Sequence, residues 1–217
     1  PAPPPPPPPT RQSSSAASDV YKRQKQHIAE YGGDPGFVAI TGGSAGGHLS
    51  SLAALTPNMP AFQPGFEAAD TSVQAAVPFY GVYDWLDESG SGGSAHMTEF
   101  LTKFVMQAAL DDKQALWREG RSLAHVNAEA PPTLVVHGSH DSLVWVEDAR
   151  HFAAALGRVS RSPVAYAEVR GAQHAFDIFH SIRCDHAVNG VTEFLEWSHA
   201  NWRVRQAGAV VPRDLPS

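Results

Sequence analysis

Three side chains of the types that nucleophilic catalysis needs lie far apart in this sequence: Ser44, Asp141 and His174. A serine hydroxyl is inert at neutral pH unless a base takes its proton. Histidine is that base when a carboxylate holds its tautomer. Ser44 stands in Gly42-Gly43-Ser44-Ala45-Gly46, a Gly-x-Ser-x-Gly pattern. The pattern alone arises often by chance, so its context carries the weight. It follows the apolar, β-branched run FVAIT (residues 37–41) and leads into a helical stretch over 48–55. A strand–turn–helix setting of this kind strains the serine backbone and projects the hydroxyl clear of the sheet. Gly42 and Gly46 are expected to be required there, because a side chain at either would collide with the neighbouring strand or helix. The helix N-terminus beneath Ser44 favours a developing oxyanion, and the Ala45 N–H is one candidate donor to it. The alternative is a phosphate loop. It is disfavoured because no lysine follows the glycines and the G-x-G-x-x-G spacing is missing.

The base and the acid must sit at other strand ends. The apolar run 133–137 continues into HGSHDSLV, which places Asp141 in the loop beyond a strand. The run 164–169 continues into RGAQHAFD, which places His174 in the loop beyond the next. Sites of parallel α/β sheets form at the carboxyl ends of the strands, and the order serine, acid, histidine is the one this architecture uses. Asp70, Asp84 and Asp87 near the second strand are rival acids, with Asp84 the strongest of them. Asp177 is too near His174 in sequence to orient it. His137 and His140 flank the acid loop and are expected to hydrogen-bond locally. His48 on the elbow helix is read as structural, and His151, His180, His186 and His199 as surface or packing residues. No histidine pair has zinc spacing with a plausible third ligand, so neither a metal nor another cofactor is expected.

The elements that would position these groups alternate. Strands are expected over 37–41, 73–80, 133–137 and 164–169, and helices over 25–31, 48–55, 97–110, 112–118, 147–156 and 186–204. Residues 84–93 read as a glycine-rich loop. The run at 37–41 is wholly apolar, as in a strand buried on both faces. Alternation of this kind implies parallel βαβ units in a three-layer α/β fold. The chain of 217 residues is 42% hydrophobic, enough for a core, and its net charge of −6 is interspersed without a basic patch. Nucleic acid is therefore not an expected partner, and no window is long and apolar enough for a membrane span. The single cysteine, Cys184, cannot form an internal disulfide, which fits a reducing compartment such as the cytoplasm.

The N-terminal residues read differently. PAPPPPPPPTRQ is low-complexity and is expected to form a stiff extended spacer. SSAASDVYKRQ (residues 14–24) resembles the in-frame translation of a transposase adapter used for sequencing libraries. Residues 1–24 are therefore expected to be non-native, the folded domain to run over 25–205, and a loose tail to follow over 206–217.

The stretches GGSAGGHLSSLAAL, HGSHDSLV and GAQHAF together resemble the α/β-hydrolase fold. They look closest to the bacterial carboxylesterase/lipase branch related to hormone-sensitive lipase and the formamidase-like esterases. The resemblance covers roughly residues 25–205. It implies ester hydrolysis through an acyl-enzyme, with Ser44 attacking, His174 shuttling the proton and Asp141 holding the imidazole. It also implies four strands and a His-Gly-Gly type oxyanion loop ahead of the elbow, which this sequence does not contain; the 37–41 strand, central in the complete sheet, is therefore expected to lack a partner on one side and to expose apolar faces. The chain is thus expected to hold only the C-terminal half of the fold, about four mostly parallel strands. As written it is expected to be marginally soluble and nearly inactive, because one lost oxyanion donor costs on the order of a hundred- to a thousand-fold. Residues 81–130 are long for a crossover and are expected to form a cap. Gly81, Val82, Tyr83, Asp84 and Trp85, with Phe100, Phe104 and Met106, could line an acyl pocket or belong to the ordinary core, and Tyr80 and Trp145 are further candidates to face a small-molecule ester. A peptidase or arylformamidase on the same fold is the alternative, and a non-catalytic binding protein the alternative of another class.

Overall fold

The structure is a computed structural model that describes residues 9–90, 92, 95–107 and 109–208. Four strands, β1 (Ala39–Gly43), β2 (Ala75–Phe79), β3 (Thr133–Gly138) and β4 (Val164–Val169), form one sheet in the order β1-β2-β3-β4. Every neighbouring pair is parallel, with Ala39 opposite Ala75, Ala76 opposite Thr133 and Thr133 opposite Val164. Helices α1 (Pro9–His27), α2 (Ala45–Leu55) and α5 (Val146–Val159) cover one face, and α6 (Ile182–Gln206) covers the other. This is the three-layer α/β arrangement expected from the alternation of elements.

The period-2 geometry of the strands divides the core. Val77, Phe79, Leu134 and Val136 meet Phe194 of α6, while Val135 meets Ala149, Phe152 and Leu156 of α5. β2 and β3 are buried at every position, as their runs of Val, Ala and Leu require. β1 is not. It lies at one edge of the described sheet and alternates between exposed and half-buried residues, the unpartnered side and exposed faces expected of it in this chain. An apolar strand is buried on both faces only when elements cover it on both sides.

Two helical expectations also change. Residues 97–110 do not form one regular helix. A 3₁₀ turn (Ala95–Met97), a single α turn (α3, Thr98–Phe100) and a π-helical turn (Leu101–Met106) follow one another, and Gln107 at φ 51° ends them. Leu101 and Met106, five residues apart, are both buried, a spacing that a π turn stacks and an α turn does not. A short helix, α4 (Gln114–Glu119), follows. At the N-terminus, the expected extended spacer is helical from Pro9 onward. Proline is tolerated in a first helical turn, and no glycine or further proline interrupts the stretch. Tyr21 is buried against Val38, Ala53 and Ala76, and Lys25 bonds Asp70 at 2.6 Å. Residues 1–8 and 209–217 lie outside the described residues. Among the described residues no helix is long and apolar enough to cross a membrane.

Candidate active site

Ser44 sits between β1 and α2 with φ 57° and ψ −118°, the strained backbone expected of a nucleophile elbow. Its amide donates to Phe79 O at 3.0 Å, which fixes the turn against the end of β2. Ala45 is the first residue of α2, so its N–H has no intrahelical carbonyl to bond.

The glycines do not share the work as expected. A Cβ on Gly42 would meet Gly46 O at 2.5 Å, so Gly42 is required by close approach. A Cβ on Gly46 would meet nothing within 4 Å, which corrects the expectation for that position. Gly47 carries the second constraint, since its Cβ would lie 2.2 Å from Phe79 O. The helix packs onto β2 at Gly47, one residue beyond the pattern.

His174 and Asp141 converge on Ser44 from the β4 and β3 ends. His174 Nε2 lies 2.9 Å from Ser44 Oγ, and His174 Nδ1 lies 2.7 Å from Asp141 Oδ2. Asp141 Oδ1 accepts the amides of Leu143 (2.9 Å) and Val144 (2.8 Å). Burial opposes the charge on Asp141, but hydrogen bonds from His137, His174 and the Val144 amide hold its carboxyl well below the usual range. The acid is therefore ionised at neutral pH.

The rival acids are committed elsewhere. Asp84 is fully buried and paired with Arg121 at 2.7 Å, Asp70 pairs with Lys25, and Asp177 accepts the Tyr80 hydroxyl. His137 Nε2 reaches Val144 O at 2.9 Å, and His48 Nδ1 reaches Val82 O at 2.8 Å, as local and structural roles require.

An apolar cavity of about 390 Å³ opens beside Ser44. Ala45, His48, Val82, Trp85, Phe100 and Val144 line it, with Met97, Leu101 and Val105 from the irregular segment. Trp85 thus faces the cavity as expected, its indole N–H held by Trp117 O at 2.8 Å. Tyr80 and Trp145 are not among the lining residues. The Tyr80 ring packs against His174, and Trp145 stacks on His96 at 4.5 Å at the surface. Met106 is buried in the core behind, and Phe104 is exposed. Met97, Leu101 and Val105 were missed, although their four-residue spacing was a visible signal of one helical face. Among the described residues no cluster of three metal-ligating side chains occurs.

Residues 21–156 match the BD-FAE family. The chain is 53% identical to the probable carboxylic ester hydrolase LipM of Mycobacterium tuberculosis, over 79% of this chain and 39% of that protein. It is 46% identical to the esterase LipQ of the same organism, over 79% of this chain and 40% of the relative. The chain therefore spans about two fifths of the length of these curated relatives. Among solved structures, the thermophilic esterase Est2 of Thermogutta terrifontis with butyrate bound superposes with a TM-score of 0.62 at 25% identity, covering 93% of this chain and 67% of that one. With the α/β sheet, the elbow and this match over more than half of its length, the chain belongs to the BD-FAE family.

Proposed function

We propose that the chain carries the nucleophile, base and acid of a serine hydrolase that cleaves carboxylic esters through an acyl-enzyme. The observation that carries this reading is the continuous relay Asp141–His174–Ser44, with contacts of 2.7 and 2.9 Å. Ser44 Oγ attacks the ester carbonyl while His174 Nε2 takes its proton. The tetrahedral oxyanion rests on the Ala45 N–H. The C–O bond to the alcohol breaks, and His174 returns the proton to the leaving oxygen. Water, deprotonated by the same imidazole, then attacks the acyl-serine and releases the acid and free Ser44. Asp141 stays ionised throughout and holds Nδ1–H.

The named functions of LipM and LipQ support ester cleavage, and the apolar cavity beside Ser44 suits an alkyl acyl group. Est2, solved with butyrate, is a neighbour that supports a short acyl chain. In this reading the hydrolytic domain runs over 25–205 and residues 81–130 cap the cavity. The test is to expose the full-length protein that carries this sequence to a fluorophosphonate and to p-nitrophenyl esters, with N-formylkynurenine and prolyl peptides as competing substrates. An adduct on Ser44 together with ester turnover that Ser44→Ala abolishes is the expected result. An adduct with turnover only of the formamide or peptide would move the function to those bonds, and no adduct would remove the hydrolase reading.

A further inference from the structure

Tyr80 follows β2 directly and is the one aromatic side chain in ring contact with His174 among the described residues, with centroids 4.8 Å apart and edge to face. Its backbone is in the left-handed region at φ 35°, a conformation that costs a non-glycine residue free energy and persists only where its surroundings impose it. Its hydroxyl donates to Asp177 Oδ1, three residues beyond His174. Room for that hydroxyl comes from Gly43, where a Cβ would lie 2.5 Å from the Tyr80 oxygen. The second glycine of the elbow thus serves the tyrosine as well as the turn. Ala175, next to His174, also has a positive φ of 57°, so the histidine loop is itself strained. The Asp177 carbonyl accepts the Cys184 thiol at 3.5 Å, which ties the loop to α6. Burial, then the Asp177 hydrogen bond and charge, push the Tyr80 phenol above its ordinary range, so it remains a donor at working pH.

We propose that Tyr80 and Asp177 form a clamp that locks the His174 loop to the end of β2 and so sets the imidazole at bonding distance from Ser44. Tyr80 is then a positioning residue, and the proposal rests on the hydrolase reading of the relay. The β2 end is already registered to the elbow through the Phe79 carbonyl and the Ser44 amide. A clamp from the next residue to the histidine loop therefore references base and nucleophile to one fixed point. Misplacement of a base by a fraction of an ångström lowers turnover far more than it lowers binding.

The test compares Tyr80→Phe, Asp177→Ala and Asp177→Asn in the full chain. Tyr80→Phe keeps the ring and deletes only the hydroxyl bond. Asp177→Asn keeps an oxygen that can accept it, so it is the conservative rescue. Expected are a fall in kcat of about 10- to 100-fold for Tyr80→Phe and Asp177→Ala with KM within about twofold, and recovery to within about threefold for Asp177→Asn. Deuterium exchange of a peptide covering residues 170–181 gives a readout independent of activity. It should speed up several-fold in Tyr80→Phe and Asp177→Ala and match the parent in Asp177→Asn. Unchanged exchange in Tyr80→Phe, or a kcat equal to the parent's, overturns the clamp. If the parent chain neither labels at Ser44 nor turns over ester, the hydrolase reading fails, and exchange alone decides whether the loop is clamped.

Discussion

His137 Nε2 lies 3.2 Å from Asp141 Oδ2, the same oxygen that His174 Nδ1 reaches at 2.7 Å. His137 Nε2 also meets Val144 O, which can only accept, so that nitrogen carries the proton. Asp141 is thus surrounded by donors: two imidazole N–H groups at one oxygen and two backbone amides at the other. An asparagine at 141 must turn its NH₂ toward one of these pairs. Facing the amides, it loses two hydrogen bonds. Facing His174, it makes Nδ1 an acceptor and moves the imidazole proton to Nε2, where it cannot accept from Ser44. Asp141→Asn is expected to lower kcat by roughly 10⁴-fold with little change in KM. Ester turnover within tenfold of the parent would show that Asp141 is not the orienting acid.

The elbow glycines offer a test on stability. Gly46→Ala places a methyl in open space on a helix and is expected to leave the urea midpoint unchanged or raise stability by up to about 1 kcal/mol. Gly47→Ala drives a methyl to 2.2 Å from a β2 carbonyl, and backbone on both sides must shift. It is expected to cost more than about 3 kcal/mol or to prevent folding. Equal midpoints for the two variants would contradict the packing of α2 on β2.

The two glycines also show what the sequence can and cannot carry. Ser44, Asp141 and His174 were legible because strand ends are marked by apolar runs that stop at polar loops, and parallel topology brings such ends to one rim. Gly47 was not, because the contact it permits is with β2, some thirty residues away in sequence, and nothing local records it. The role of Tyr80 was hidden for the same reason. A tyrosine at a strand end reads as a pocket residue, and only the tertiary contact with Asp177 shows its hydroxyl already in use. The exposed edge at β1 was legible too: FVAIT is apolar enough for a central strand, but burial is set by what lies beside it, and no strand is written ahead of it. The π turn at Leu101–Met106 was not legible, because Met97, Leu101 and Val105 keep a helical four-residue spacing and only the burial of both Leu101 and Met106 marks the wider turn.

His48 makes stability depend on mild acid. Burial, only partly offset by the bond to Val82 O, pushes its pKa from 6.5 down to about 4. Between those values the unfolded chain binds a proton that the folded chain does not. Stability is therefore fully present above pH 6.5 and falls as pH drops toward 4, by up to about 3 kcal/mol at 1.4 kcal/mol per unit. His48→Asn removes that titration. Unfolding free energies from urea titrations at pH 7.5 and 4.5 should differ by at least about 2 kcal/mol less in the variant than in the parent, whatever its absolute stability. The same pH dependence in both proteins would mean that His48 is protonated in the folded state.

The cavity beside Ser44 sets acyl length if the hydrolase reading holds. Val105 is half-buried on its wall, on the irregular segment. Val105→Phe fills space that a longer chain would occupy, whereas Val105→Ala enlarges it. Each methylene moved from water into such a pocket contributes about 0.8 kcal/mol, close to fourfold in kcat/KM. The ratio of kcat/KM for p-nitrophenyl hexanoate to that for the acetate should fall by about tenfold or more in Val105→Phe and rise by about two- to fourfold in Val105→Ala. The acetyl group is the shortest acyl chain and is expected to fill the least of the cavity, so its own kcat/KM should stay within about twofold, which separates pocket shape from damage to the relay. Two variants that keep the parent's chain-length profile would place the acyl group outside this cavity and leave the opposite side of Ser44 to bind it.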